Sequence, residues 1–139
     1  MNGFPSPLKG KRLYKFEKLC SKNAVDGIFA HGQSAIAYPL RTAYRFRPAE
    51  DACARFLITV PKKKIRKAVD RVLLRRRIRE AYRLTRREML HPALLQAGIG
   101  VDIAFIYLDN ENADFDTIKA RMSTLLGRIA IAAEKHADA

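Results

Sequence analysis

The chain has 139 residues, with 27 Lys and Arg against 14 Asp and Glu and a formal net charge of +13. Hydrophobic residues make up 48% of it, as in an ordinary globular domain, which excludes a chain that is disordered throughout. Its apolar runs are strand-sized and shorter than the roughly 18–20 residues of a membrane-spanning helix. The length fits one domain, and the charge favours a polyanionic partner such as nucleic acid.

Residues that would carry catalysis or hold a metal are not found in a recognisable pattern. Cys20 and Cys53 lie far apart without a CxxC spacing, and the histidines are scattered. There is no Gly-rich phosphate loop and no GxSxG motif. Because the first residues do not resemble a signal peptide, we expect a cytoplasmic protein with reduced thiols. The residues alone indicate a binding protein rather than a self-sufficient enzyme.

The domain organisation is predicted from the distribution of proline and charge near the ends. Residues 1–17 carry two prolines and interleaved basic and aromatic side chains, which predicts a basic N-terminal arm. One α/β domain is expected over 18–135, and a short C-terminal tail over 136–139.

The first half of the domain is predicted to form one helix and two strands. Val25, Ile28 and Phe29 recur at helical spacing, which predicts a helix over 21–31 that Ser21 caps and Gly32 ends. Residues 36–47 alternate apolar with basic side chains and predict a strand. A short connection of hairpin length leads to a second strand over 55–60, expected to be central and buried.

The second half is predicted to begin with one long helix over 65–90. Its apolar stripe should lie on the sheet, and a separate face should be basic. The stripe comprises Leu74, Ile78, Ala81 and Thr85 with Tyr82 at its margin; the basic face comprises Arg75, Arg79, Arg83 and Arg86, widened by Arg76 and Arg87. A short helical turn to Gln96, a strand over 101–108 and a helix over 114–135 follow.

These elements predict an α/β fold of the α+β sandwich type. The expected order is α-β-β-α-β-α with one possible further strand, forming a small, mostly antiparallel sheet covered by helices. Four carboxylates flank the last strand-to-helix connection, where acidic residues usually cap a helix; they are Asp102, Asp109, Glu111 and Asp114.

The positive charge is concentrated in one segment. Residues 62–87 hold 13 of the 27 Lys and Arg residues and only two acids, a net charge of +11, whereas the remaining residues have a net charge of +2. A solvated charged face normally mixes signs for i,i+4 pairing, and only Asp70 and Glu80 are available here. The segregation favours a dedicated nucleic-acid surface, because guanidinium groups pair with phosphates in bidentate fashion.

Two groups of residues are candidates for that surface. The first, the basic segment, comprises Lys62, Lys63, Lys64, Lys67, Arg71, Arg75, Arg76, Arg79 and Arg83. The second combines aromatic and basic side chains from the arm and the first strand, namely Lys15, Phe16, Tyr38, Arg41 and Tyr44. Tyr38 or Tyr44 would stack on a base if it pointed outward, but strand alternation is equally compatible with a core position for either.

Several segments together resemble the bacterial ribonuclease P protein component. The most specific are VPKKKIRKAVDR at residues 60–71 and REAYRL at 79–84. FAHGQS at 29–34, YPLR at 38–41 and DIAFI at 102–106 are similar to the same family in the same order. The chain departs from the pattern at Val72 and Leu73, where the family usually has Asn and Arg, and at Val25, where an aromatic residue is common.

The resemblance implies a subunit of a ribonucleoprotein that removes the 5′ leader from precursor tRNA. It implies that the RNA subunit holds the catalytic Mg²⁺ and performs the hydrolysis, while the protein contributes no catalytic or metal-binding residue. It implies that the Arg-rich helix binds the RNA subunit, with Arg71, Arg75, Arg76 and Arg79 at matching positions, and that the leader follows a cleft beside the sheet. From their spacing, we expect the residues of the aromatic-basic group to contribute to that leader path. The implied partners are ribonuclease P RNA and precursor tRNA, with no membrane and no protein partner, and the implied fold has a left-handed βαβ crossover, contrary to the general rule.

Three other functions are compatible with the sequence. A ribosomal or general RNA-binding protein would show the same charge segregation. A DNA-binding module would dock the Arg-rich helix in a major groove, although no helix-turn-helix spacing is visible. A helix lying on a membrane surface would need a large exposed apolar face.

Overall fold

A four-stranded sheet and four helices make up the part of the chain that the computed structural model describes, residues 22–48 and 54–138. In chain order the elements are α1 (Lys22–His31), β1 (Gln33–Ala37), β2 (Leu40–Pro48), β3 (Ala54–Thr59), α2 (Ala68–Met89), α3 (His91–Ala97), β4 (Ile99–Tyr107) and α4 (Phe115–Asp138). The predicted α/β class is confirmed. None of the described helices is long and apolar enough to cross a membrane.

The strand order is β1-β2-β4-β3, with antiparallel β1–β2 and β2–β4 pairs and a parallel β3–β4 pair. The prediction of one strand over 36–47 was wrong, because a turn at Tyr38 and Pro39 divides this region into the β1–β2 hairpin. The hairpin-length connection after β2 does not pair β2 with β3, since β4 lies between them. β3, expected to be central, is at the edge of the described sheet, and its parallel neighbour requires the crossover through α2 and α3.

The two faces of the sheet carry different helices because side chains alternate along each strand. Ile103 and Phe105 of β4 join the main core with residues of α2 and α4. On the opposite face Ala104 of β4 and Ala43 of β2 pack under Ile28 of α1 in a small second cluster. The sheet is therefore covered on one face by α2 and α4 and on the other by α1.

The long helix α2 begins three residues later than predicted. Residues 61–67 form a loop in which the Pro61 carbonyl oxygen accepts hydrogen bonds from the N–H groups of Lys64 and Ile65, each at 3.1 Å. The predicted apolar stripe is buried as expected, but α2 packs mainly against α4. It reaches the sheet through Tyr82, whose ring centroid lies 4.5 Å from that of Phe56.

Some ends of the predicted helices lie within the described residues, and others lie outside them. Gly32 follows α1 as predicted, and a Cβ there would lie 2.3 Å from the carbonyl oxygen of Ile28, so only glycine fits. α4 continues to Asp138, and the ring of His136 lies 5.2 Å from that of Phe46, so most of the segment predicted as a tail is helical. The arm and Ser21 lie outside the described residues.

Candidate RNA-binding surface

The exposed face of α2 presents the central arginines of the basic segment. Arg75, Arg76 and Arg79 are exposed, and none of them is hydrogen-bonded or ion-paired to another described residue. On the opposite side of the helix Leu74 and Ile78 are completely buried. The helix therefore separates a core-facing stripe from a solvent-facing row of guanidinium groups, as the helical spacing predicts.

Two other arginines of the segment are held by neighbouring residues. Arg83 donates from Nε to Oε2 of Glu80 at 3.0 Å and also pairs with Oε1 of the same residue. This hydrogen bond lowers the pKa of Glu80 and raises that of Arg83. Arg71 donates from Nη1 to the carbonyl oxygens of Ile65 and Arg66, at 3.0 Å and 2.7 Å. Arg71 and Arg83 therefore form hydrogen bonds within the basic segment itself.

The prediction that Arg86 lies on the basic face was wrong. Arg86 is completely buried, and its Nη1 donates to the carbonyl oxygen of Arg83 at 2.8 Å. Its guanidinium carbon lies 6.0 Å from the centroid of the Tyr82 ring. Because Arg86 follows Tyr82 by four residues, the two side chains lie on the same side of α2, and the guanidinium group is within range of a cation–π contact with that ring.

The lysines of the segment lie in the loop between β3 and α2. Lys62, Lys63, Lys64 and Lys67 are all exposed there. Since β3 and β4 are parallel, the loop that follows β4 leaves the sheet at the same end of the strands as this lysine loop. It brings Asn110 and Asn112 to the same cavity as Lys63, Lys64 and Lys67. The sequence pattern alone does not reveal these asparagines, because the pairing of β3 with β4 is needed to place them.

The aromatic-basic group is divided by the structure. Tyr38 is 58% exposed in the β1–β2 turn; partial desolvation and then a hydrogen bond to Asp109 raise its pKa. Arg41 is half-buried on β2 and lies across from Ile106, which pairs in turn with Thr59 of β3. Both residues are thus at the end of the sheet from which the lysine loop leaves. Lys15 and Phe16 lie outside the described residues.

Tyr44 is not available for stacking on a base, which corrects its inclusion in that group. Its side chain is only 5% exposed and points into the main core, where its ring lies 5.6 Å from that of Phe46. Its hydroxyl donates to Oε1 of Gln33 at 3.3 Å. Burial raises the pKa of Tyr44. The even-numbered face of β2 is the core face, so alternation places Tyr44 with Leu40.

The carboxylates near β4 have separate structural roles. Asp102 is buried on the α1 side of the sheet, where Arg55 donates to both its oxygens and Arg47 to Oδ1, at 2.9–3.1 Å. Asp114 caps α4 by accepting the N–H of Thr117 at 3.1 Å. Within residues 22–48 and 54–138, no group of three or more His, Cys, Asp or Glu side chains is placed to hold a metal ion.

The family model and the most similar relatives found all point to one protein family. The family model described as Ribonuclease P matches residues 13–130. A ribonuclease P protein component of Porphyromonas gingivalis is 36% identical over 119 residues, which cover 85% of this chain and 86% of that protein. One from Chlorobaculum tepidum is 36% identical over 114 residues, covering 75% of this chain and 74% of the relative.

Solved structures share the fold. The RNase P protein of Thermotoga maritima is 26% identical with a TM-score of 0.63, over 81% of this chain and 96% of that one. The RNase P protein of Staphylococcus aureus has a TM-score of 0.65 at 18% identity, over 81% and 94% of the two chains. Because the family model matches most of this chain, the chain belongs to the family of ribonuclease P protein components.

Proposed function

We propose that the chain binds the RNA subunit of ribonuclease P and the 5′ leader of precursor tRNA, and thereby assists the cleavage that produces the mature tRNA 5′ end. In this proposal the RNA subunit holds Mg²⁺ and performs the hydrolysis, the protein supplies no catalytic residue, and the complex works in the cytoplasm. Family membership supports the partnership with ribonuclease P RNA.

The observation that carries the proposal is the exposed row of Arg75, Arg76 and Arg79 on α2. Their helix is anchored by the buried apolar stripe, which fixes the backbone positions of the three arginines along α2. Each group offers a planar pair of donors to a phosphate, and every phosphate neutralised releases condensed counterions. The anchored helix therefore presents three phosphate ligands on one rigid element, and only their side chains have to be ordered when RNA binds.

Support for a leader contact comes from Tyr38 and Arg41 at one end of the sheet. An exposed aromatic ring near a cation suits a single strand, because bases stack on the ring while the cation follows the backbone. The loop after β4 links the two groups: Asp109 is hydrogen-bonded to Tyr38, and Asn110 lines the same cavity as the lysine loop. The leader would thus pass close to the basic segment.

The test is reconstitution of leader removal from purified full-length chain, cognate ribonuclease P RNA and 5′-labelled precursor tRNA. At low Mg²⁺ the chain should accelerate release of the leader, because protein charge substitutes best for cations under those conditions. The acceleration should shrink for a precursor whose leader is a single nucleotide. Cleavage by rigorously RNA-free chain would contradict the assignment of hydrolysis to the RNA. Equal cleavage with and without the chain would instead indicate a general RNA-binding protein.

A further inference from the structure

A cavity of about 440 Å³ lies between the loop of residues 61–67 and the loop of residues 108–114. Its charged lining comprises Lys63, Lys64, Arg66 and Lys67, opposed by the single carboxylate of Asp70. The other loop contributes Asn110 and Asn112 to the lining. Small-molecule sites in proteins typically have volumes of about 300–1,000 Å³, so the cavity is large enough for one nucleotide.

The cationic wall of the cavity is held in position by the fold. The Pro61 carbonyl oxygen accepts two backbone N–H groups, and the side chain of Ile65 is buried in the main core. Arg71 adds hydrogen bonds to the carbonyl oxygens of Ile65 and Arg66. The backbone that carries the lysines is therefore fixed, which reduces the entropy cost of binding an anion.

Hydrogen bonds also hold the opposite wall of the cavity, the loop that carries Asn110 and Asn112. The buried Tyr107 hydroxyl donates to the carbonyl oxygen of Glu111 and accepts the N–H of Ala113 at 2.9 Å. Arg77 of α2 donates from Nη1 to the Ala113 carbonyl oxygen at 2.6 Å. The exposed amides of Asn110 and Asn112 are not hydrogen-bonded to other described side chains or backbone groups. A fixed loop thus presents two amides with unused donors and acceptors.

We propose that this cavity binds one ribonucleotide of the bound RNA, turned out of its stack. The cations hold its phosphate, and the amides of Asn110 and Asn112 hydrogen-bond to the edge of its base. A primary amide carries a donor and an acceptor side by side, which matches the pattern on a base edge and is not needed for phosphate alone. Proteins read RNA sequence mainly at such unstacked bases. The inference rests on the proposed function and adds a base-reading site to it.

The first test separates a nucleotide from a simple anion. Amide spectra of the ¹⁵N-labelled full chain are recorded with each of the four ribonucleoside 5′-monophosphates and, separately, with inorganic phosphate. At least one nucleotide should shift the side-chain amide signals of Asn110 and Asn112 together with backbone signals of residues 63–67. Phosphate should shift only the latter. Identical shifts from phosphate and all four nucleotides, or shifts at neither loop, would overturn the inference.

The second test uses the double variant Asn110→Ala/Asn112→Ala, with Gln96→Ala on α3 as the control for loss of an exposed amide. The double variant should bind ribonuclease P RNA about tenfold more weakly, as expected for two lost hydrogen bonds. The salt dependence should not change, because no charge is removed. If the unaltered chain does not prefer ribonuclease P RNA to other RNA, the proposed function fails. If it does and the double variant binds like Gln96→Ala, only the nucleotide site is refuted.

Discussion

Arg71 holds Arg66 in place, because its Nη1 donates a hydrogen bond to the backbone carbonyl oxygen of Arg66 over 2.7 Å. The same atom donates to the carbonyl oxygen of Ile65 at 3.0 Å. The loop that carries four of the candidate RNA-binding lysines is thereby tied to α2. A residue selected from the sequence as a phosphate ligand is also a support for its neighbours.

Arg71→Ala should lower the free energy of unfolding by about 1 kcal/mol, since two carbonyl oxygens lose their donor. Arg75→Ala removes the same charge from an exposed position and should change stability by no more than about 0.5 kcal/mol. Urea unfolding of the two variants measures the difference directly. Equal unfolding midpoints would show that the hydrogen bonds of Arg71 do not stabilise the loop.

Replacing Arg75, Arg76 and Arg79 together by Ala should weaken binding to ribonuclease P RNA while leaving the fold intact. The slope of log affinity against log salt should shrink by about 0.7–0.9 for each lost phosphate contact, or roughly 2–3 in total. The matched control is the α4 triple variant Lys119→Ala/Arg121→Ala/Lys135→Ala, which removes the same charge from exposed positions. An unchanged slope in the α2 variant would mean that this face does not touch the RNA.

Ile78→Ala tests the opposite face of the same helix. Ile78 is completely buried, so truncation should reduce the free energy of unfolding by roughly 2–5 kcal/mol. The salt slope of RNA binding should barely change in the protein that remains folded, because no cation is lost. Calorimetric unfolding of one preparation measures the loss of stability, and RNA binding at several salt concentrations measures the salt slope. A large fall in the salt slope would contradict the division of α2 into a core face and an RNA-binding face.

Val72→Asn restores the residue usual in the family at the middle of the basic face. Val72 is 50% exposed, so the change removes little packing. RNA affinity should stay the same or improve, because an amide offers hydrogen bonds that two methyl groups do not. Val69→Asn, one turn earlier on α2, is the control for adding an amide elsewhere. Weaker binding of Val72→Asn, measured at one salt concentration, would indicate that the valine itself contacts the RNA.

Asp114 gives stability a dependence on pH. Hydrogen bonds from Thr117 hold the pKa of this carboxyl below its ordinary value of 3.8. A folded pKa below the unfolded one means that the stabilisation is complete above pH 3.8 and declines as the pH falls through the folded pKa. Asp114→Ala should therefore be less stable at neutral pH, and its difference from the unaltered chain should narrow below pH 3.8. Urea unfolding over this range measures it, and a constant difference would contradict the assignment.

The part of the candidate site that could be predicted lies on one helix. The helical period of about 3.6 residues is a property of the backbone and does not depend on the rest of the chain. It therefore places Leu74 and Ile78 on one face of α2 and Arg75 and Arg79 on another. The prediction for Arg86 was wrong, because the angular position on the helix does not show that the guanidinium group lies near the Tyr82 ring and is buried. Tyr44 remained ambiguous for a related reason: alternation defines two faces of a strand without saying which one is covered.

The sequence by itself determined the α/β class, the family and the concentration of positive charge in residues 62–87, because these depend on local periodicity and residue type. Only the tertiary structure decided that β4 lies between β2 and β3, since strand pairing is a long-range choice that chain order does not specify. That parallel pairing brings Asn110 and Lys64, two residues 46 positions apart in the sequence, to the lining of one cavity. Local pattern therefore selected the candidate RNA-binding residues, and sheet topology decided which other side chains lie close to them.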